Sequence, residues 1–479
     1  MINEYEMGIV GLGTMGRNLL LNLADHGYAA IGLDKDNSKV QLVRNSPKTS
    51  APVEATQDLK TFLDHLRKPR AILLLVPAGA TLEGVIDEMS PLLASGDLLI
   101  DGGNSHYKDT DRHEKTLEEK EIYFFGMGVS GGEAGARNGP SMMPGGNKIA
   151  YGRVRPILES IAAQVNGEPC VTYIGPRSSG HYVKMVHNGI EYGLMQLIAE
   201  TYYLMKCGAG LTDRESSAVY QDWNKSELNS YLLEITANIL KKKDNRTQKP
   251  LIESILDVAK QKGTGMWTCQ DAMDLQVPLS TIDAAVAVRD LSTFQETRKR
   301  LRAVLVAPDS SYAIDRASFL DQLRDAYYAS SIIIFAQGMT LLQRASSTYQ
   351  YDLNLESIAR IWRGGCIIRA GLLEDMMKAY HISSRDSSEF SNLLLDPHLG
   401  NETGKCLPGL RSVIQISTRL GFPIPTMMAS LAYYDCFRAY WLPTNLIQAQ
   451  RDYFGAHTYE RIDETGIFHS DWAALGEDP

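Results

Sequence analysis

The hexapeptide Gly11-Leu12-Gly13-Thr14-Met15-Gly16 follows the apolar run 6–10 and opens a helical stretch. In that context the first glycine permits a tight turn, the second lets a pyrophosphate approach the backbone, and the third lets helix pack on strand. The helix N-terminus then faces the anion. A glycine-rich turn on its own is a weak sign, because any tight turn uses the same residues. Here a second apolar run, 29–33, ends at Asp34, which completes the strand–helix–strand setting of a dinucleotide site. An acid at that point hydrogen-bonds the adenosine ribose hydroxyls and repels a 2′-phosphate. Asp36 adds to the repulsion, while Lys35 between them offers a countercharge. The triplet favours NAD+ over NADP+; the alternative is that residues 34–36 are simply an exposed acidic turn.

Beyond this unit, short apolar runs (71–76, 98–100, 122–125) alternate with helical stretches up to about residue 175. Continuous apolar strands of this kind belong to a parallel sheet covered on both faces. From about residue 178 the strand signals fade and helix-period segments take over, at 182–205, 227–240, 250–263, 326–344 and 410–420. Residues 241–246 and 381–392 are polar and turn-rich and read as surface loops. From Trp441 the chain is aromatic and polar without clear periodicity, so it must dock onto something. The predicted architecture is an α/β Rossmann domain over 1–178, a large mainly α-helical domain over 179–440, and a C-terminal tail over 441–479.

The net charge of −9 over 479 residues argues against a surface built for nucleic acid or anionic membrane, so an anionic substrate must be gripped by locally placed Lys and Arg. The six cysteines lie far apart, without the close pairs of zinc sites or the density of a disulfide scaffold. No apolar run approaches the roughly 20 residues of a membrane span, and the acidic start lacks the basic and apolar regions of a signal peptide. These features predict a soluble, cytoplasmic protein without a metal site.

The stretch His181-Tyr182-Val183-Lys184-Met185-Val186-His187-Asn188-Gly189-Ile190-Glu191-Tyr192 is the most informative in the second half. At about 100° per residue, Lys184, His187, Asn188, Glu191 and Tyr192 fall within an arc of roughly 140°. The rest of the circumference is apolar, with Val183, Val186, Ile190, Leu194, Leu197 and Ile198, which predicts a buried helix and an indoor polar stripe. On a generic helix such a stripe is the wet face. This one combines a base, an acid and two hydrogen-bonding groups. A lysine base needs its pKa brought down from about 10.4, and a drop of ~3 units corresponds to about 4 kcal/mol against the ammonium, which burial can supply.

With these residues in view, the chain resembles the long form of the 6-phosphogluconate dehydrogenase family over nearly its whole length. The resemblance rests on the glycine fingerprint, Ile100-Asp101-Gly102-Gly103-Asn104-Ser105, Gly128-Val129-Ser130-Gly131-Gly132-Glu133, the Lys184 helix, Gln261-Lys262-Gly263-Thr264-Gly265, Trp362-Arg363-Gly364-Gly365-Cys366-Ile367-Ile368-Arg369, and Gln450-Arg451-Asp452-Tyr453-Phe454-Gly455-Ala456-His457. It implies that Lys184 is the general base and Glu191 the proton donor in an oxidative decarboxylation of 6-phosphogluconate. It implies further that Asn104, Ser130, Gly131, Gly132, His187 and Asn188 hold the carboxylate end and hydroxyls, and that Tyr192, Lys262 and Arg289 hold the phosphate. Arg451 and His457 would come from the tail of a neighbouring subunit in a homodimer that exchanges its tails. On the cofactor side the resemblance adds Val76, Pro77, Ala78 and Asn104.

The chain departs from the family pattern in three places. Asp34-Lys35-Asp36 stands where an Asn-Arg-Thr triplet reads NADP+, Pro77 replaces a lysine near the cofactor, and Met266 stands where lysine is usual. Two rival expectations are a 3-hydroxyacid dehydrogenase relative and a non-catalytic dinucleotide-binding protein. The first has no need of Lys262, Arg289 and Arg451 together; the second predicts loss of Lys184 or Glu191, and both are intact.

Overall fold

Seven strands form one sheet in the order β3-β2-β1-β4-β5-β6-β7. They are β1 (Met7–Val10), β2 (Ala30–Leu33), β3 (Val53–Thr56), β4 (Ala71–Leu74), β5 (Leu98–Asp101), β6 (Tyr123–Ser130) and β7 (Ser141–Pro144). The first six run parallel and β7 pairs antiparallel with β6, Ser130 lying opposite Ser141. The computed structural model describes residues 4–306, 314–383 and 391–472. Helices used below are α1 (Thr14–Asp25), α2 (Asn37–Arg44), α3 (Ala80–Met89), α4 (Tyr107–Glu118), α5 (Ser179–Tyr203), α6 (Thr264–Asp274), α7 (Ser280–Thr293), α8 (Arg316–Tyr349), α9 (Pro397–Leu420) and α10 (Thr444–Gly455). By its internal packing the chain divides into two units, residues 1–430 and 431–479.

In the first unit the central strands are buried on both faces, one against a core that includes Ile9, Leu73 and Ile100, the other against one that includes Val10, Ile72 and Leu99. That is why they read as continuous apolar runs. Helix α5 lies against β6 and β7 and is packed by α6, α7 and α8, while α9 packs along α8. Its first half, residues 179–190, is buried on every side, while Met195, Ala199 and Tyr203 further along reach solvent.

Several expectations need correction. Strand β3 escapes the sequence because it is a half-buried edge strand, Val-Glu-Ala-Thr, without an apolar run. The run at 122–125 is only the start of β6, which continues through two glycines to Ser130. The segment 250–263 is not a helix beyond the short 3-10 turn Leu251–Ser254. Ile255 and Leu256 remain more than half exposed, and a short segment without a packed face does not hold helical structure. Of the expected loop at 381–392, residues 381–383 end the helix Leu372–Ser383, and 384–390 lie outside the described residues.

In the second unit the tail is not irregular throughout, since it contains α10. Its period is hidden because the buried residue is polar. Asp452 accepts hydrogen bonds from the backbone N–H of Thr458 (2.8 Å) and Ser470 (3.1 Å) and from Trp472 Nε1 (2.8 Å), while Leu446, Ile447, Tyr453 and Phe454 are exposed. Tyr459 and Phe468 close an antiparallel bridge in the same unit. The last residues of the tail, 473–479, lie outside the described residues.

Candidate active site

A cleft of about 640 Å³ opens at the carboxyl ends of β1, β2 and β4, flanked by α3. Gly11, Gly13, Asp34, Lys35, Val76 and Pro77 line it. A β-carbon on Gly16 would lie 1.8 Å from the carbonyl oxygen of Gly11, so helix α1 can meet the turn only through glycine. On Gly13 it would meet no described atom within 4 Å, so nothing inside the protein explains that glycine. Gly13 is also the N-cap of α1 and supplies no side-chain oxygen to the first-turn N–H groups. Open space over a backbone turn beside an uncapped helix start fits a dinucleotide pyrophosphate.

Asp34 is fixed before any ligand arrives. Its carboxylate accepts from the N–H of Leu12 (2.8 Å) and of Asp36 (2.9 Å), with the Lys39 ammonium at 3.3 Å. Asp36 does not line the cleft: it caps α2, accepting from the N–H and hydroxyl of Ser38. Those hydrogen bonds hold its carboxyl below the usual range. Leu12 is buried under the turn, and Thr14, Met15, Gly16, Ala78 and Asn104 are likewise outside the lining. Lys39 and Glu88 line the cleft although the sequence reading did not single them out. Lys39 lies one helical turn beyond Asp34, a spacing that becomes informative once α2 is known to start at Asn37. No sequence signal links Glu88 to Lys35.

On α5 the polar stripe is indoors, as its apolar surroundings predict. Lys184 is 6% exposed, and a β-carbon on Gly128 of β6 would lie 2.3 Å from its Cβ, so sheet and helix meet at this residue through glycine. Its Nζ lies 3.5 Å from Nδ1 of His187. Burial lowers the Lys184 pKa from its ordinary value, opposed by the carboxylate of Glu191 and by Cys366. Burial also drives His187 well below its ordinary value, keeping the imidazole neutral. In the tautomer that satisfies both ring nitrogens, Nδ1–H donates to Asn188 Oδ1 (3.2 Å) and Nε2 accepts from the Ser130 hydroxyl (3.3 Å). Glu191 Oε2 sits 3.9 Å from His187 Nδ1. Its carboxyl is raised by burial and pulled back by Lys184 and Arg289. Acid, base and imidazole thus meet on one helix face.

Neighbouring elements hold this group. Gly131, between β6 and the short helix Gly132–Asn138, has φ 116°, which a side chain would strain, and a β-carbon there would lie 2.5 Å from the Gly365 carbonyl oxygen. The segment 362–369 therefore underpins the Ser130-Gly131-Gly132 turn, and Trp362 meets the His187 ring edge-on at 5.5 Å. Asn188 donates to the Thr264 hydroxyl (3.2 Å) at the start of α6. Arg289 on α7 places its guanidinium 3.4 Å from the centroid of the Tyr192 ring. Lys262 and Asn104 are exposed, and neither forms a hydrogen bond or ion pair with the stripe. Below the stripe, Asp271 on α6 accepts from Tyr107 (2.6 Å) on α4, from Tyr349 (2.8 Å) on α8 and from Tyr182 on α5. Arg451 and His457 belong to the second unit, where both are exposed and Arg451 donates to Gln448 (3.0 Å).

A Rossmann sheet with a dinucleotide cleft, joined to a buried helix carrying a desolvated lysine, defines a dinucleotide-dependent oxidoreductase. Comparison with known proteins is more particular. Residues 6–175 match the family model described as the NAD binding domain of 6-phosphogluconate dehydrogenase, and 180–472 match that of its C-terminal domain. The chain is 47% identical over 472 residues to the "6-phosphogluconate dehydrogenase, NADP(+)-dependent, decarboxylating" of Bacillus subtilis (strain 168), covering 98% of this chain and 100% of that one. It is 46% identical over 474 residues to the decarboxylating 6-phosphogluconate dehydrogenase of Escherichia coli (strain K12), covering 98% and 100%. The solved Plasmodium falciparum 6-phosphogluconate dehydrogenase, described in apo form and with NADP+ or 6-phosphogluconate, superimposes with a TM-score of 0.91 at 42% identity, covering 98% and 100%. The chain belongs to the 6-phosphogluconate dehydrogenase family.

Proposed function

We propose that this chain oxidatively decarboxylates 6-phospho-D-gluconate to D-ribulose 5-phosphate and carbon dioxide; its relatives are named decarboxylating 6-phosphogluconate dehydrogenases. The observation that carries the reading is Lys184: a buried lysine whose ammonium is disfavoured, beside a neutral imidazole and a carboxyl raised above its usual range. When bound, the nicotinamide accepts hydride from C3 of the substrate. Lys184 takes the proton of the 3-hydroxyl as that hydride leaves. The resulting β-keto group is the electron sink for decarboxylation, so the chemistry needs no metal. Lys184, now protonated, returns its proton to the carbonyl oxygen as carbon dioxide departs. Glu191 then protonates C1 of the enediol. Ser130, Gly131, Gly132, His187, Asn188 and Asn104 hold the carboxylate and hydroxyls, and Tyr192, Lys262 and Arg289 hold the phosphate, arginine meeting its oxygens bidentately.

The same reading assigns residues 1–178 to cofactor binding, 179–440 to substrate binding and dimerisation, and 441–479 to a tail that brings Arg451 and His457 into a partner's site. The row of exposed apolar residues on α10 supports a docked tail. Residues 11–16, 34–36 and 76–78 make the cofactor site, with NAD+ preferred over NADP+ because the Asp34 carboxylate is held at the ribose position by two backbone N–H groups. Free cysteines fit a cytoplasmic enzyme, and no described helix is long and apolar enough to cross a membrane. The test is to supply 6-phosphogluconate with either dinucleotide and to measure reduced cofactor, carbon dioxide and ribulose 5-phosphate together. Equal amounts of all three are expected; reduced cofactor without carbon dioxide would overturn the assignment in favour of a simple hydroxyacid dehydrogenase.

A further inference from the structure

Two lysines line the cofactor cleft, Lys35 just after β2 and Lys39 in the first turn of α2. By charge alone, either could partner a ribose 2′-phosphate, although the sequence points only to Lys35. In the folded chain both already have a carboxylate partner. Lys39 is bound to Asp34 at 3.3 Å, and Asp34 is in turn held by the N–H groups of Leu12 and Asp36. Lys35 is bound across the cleft to Glu88, near the end of α3, at 3.0 Å.

We propose that Glu88 is a specificity-determining residue that excludes NADP+ by engaging Lys35 and adding a second carboxylate, beside Asp34, to the cleft. The proposal rests on the reading that this cleft takes a nicotinamide dinucleotide. The pair is exposed, with side chains 83% and 48% accessible, so it contributes little to folding. Its effect falls on an incoming ligand. A 2′-phosphate is close to a dianion, and to reach Lys35 it must displace the Glu88 carboxylate and then sit beside it. A ribose 2′-hydroxyl meets neither difficulty and donates to Asp34. Asp34 and Glu88 therefore act differently: the first recognises the hydroxyl, and the second withholds the cation that a phosphate would need. Gln57 reinforces the arrangement by donating to the Lys35 carbonyl (2.9 Å), which fixes the backbone from which Lys35 extends.

The test is calorimetric binding of NAD+, NADP+ and adenosine 2′,5′-bisphosphate to the full chain and to Glu88→Gln, Lys35→Met and the double variant. Removing one negative charge a few ångströms from a dianion at the protein surface is expected to shift the NADP+ to NAD+ affinity ratio roughly tenfold toward NADP+. Adenosine 2′,5′-bisphosphate should tighten in parallel. In the Lys35→Met background the shift should fall to about threefold or less, because the freed cation is then missing. An unchanged ratio in Glu88→Gln, or an equal shift with and without Lys35, overturns the role of Glu88 while NAD+ still binds. Failure of the unaltered chain to bind either dinucleotide overturns the reading of the cleft itself.

Discussion

The guanidinium carbon of Arg289 lies over the Tyr192 ring, 3.4 Å from its centroid. Burial lowers the arginine's pKa without threatening its charge, and its NH1 also reaches the Lys260 carbonyl oxygen at 3.5 Å. The stack orients the planar fork. Arg289→Lys keeps the charge but loses fork and stack, so the KM for 6-phosphogluconate should rise on the order of tenfold or more, with kcat less affected. Steady-state kinetics decide it: an unchanged KM would remove Arg289 from the phosphate site.

Glu191 and Lys184 oppose each other electrostatically. Burial lowers the Lys184 pKa and the Glu191 carboxylate pulls it back up. In Glu191→Gln that opposing charge is gone, so Lys184 should lose its proton at lower pH than in the parent chain. The rising limb of cofactor reduction against pH, measured in single turnovers, should move to lower pH. Steady-state turnover should fall by roughly 10²-fold or more through loss of the proton donor. A limb that stays put or moves to higher pH would contradict the coupling.

A third expectation concerns stability. Glu200 is buried and its carboxyl is pushed up to about 7, with the N–H groups of Thr426 (2.8 Å) and Met427 (3.0 Å) donating to it. A carboxyl raised in the folded state holds a proton that the unfolded chain releases between the ordinary 4.5 and about 7. Stability therefore falls as pH rises through that window, by at most about 3 kcal/mol, and the loss is complete above it. Denaturation midpoints at pH 5 and pH 8 should show a smaller difference in Glu200→Gln than in the parent. Equal differences would show that Glu200 does not carry the effect.

The tail carries its own prediction. A chain ending before Trp441 should run as a monomer in solution, bind dinucleotide, and fail to oxidise 6-phosphogluconate. Sedimentation and activity measurements on that truncation test it, and an active monomer would contradict a shared site.

Much of this was legible in the sequence because burial leaves a periodic trace. The strands β1, β2, β4 and β5 are enclosed on both faces and so are almost wholly apolar, and α5 shows its polar stripe because its first half, 179–190, is packed all round. The trace fails where burial is partial or polar. Strand β3 has one buried residue in four, and α10 buries an aspartate while showing its apolar side chains. Long-range pairings leave no trace at all. That Asp36 is occupied as a helix cap, that Lys35 meets Glu88, and that three tyrosines converge on Asp271 are facts of three-dimensional placement. The residues of the chemistry were readable because they share one helix; the residues around the cofactor were less so, because they come from four separate elements.

The most direct test of the account is Lys184→Met. The substitution replaces a buried ammonium-bearing chain with an apolar one of similar length, so the fold and dinucleotide binding should persist. Single-turnover cofactor reduction with 6-phosphogluconate should fall by roughly 10²- to 10⁴-fold, the share a positioned general base supplies. Reduction at a tenth of the parent rate or more, in a variant shown to be folded and to bind the dinucleotide, would contradict the assignment of Lys184 as the base.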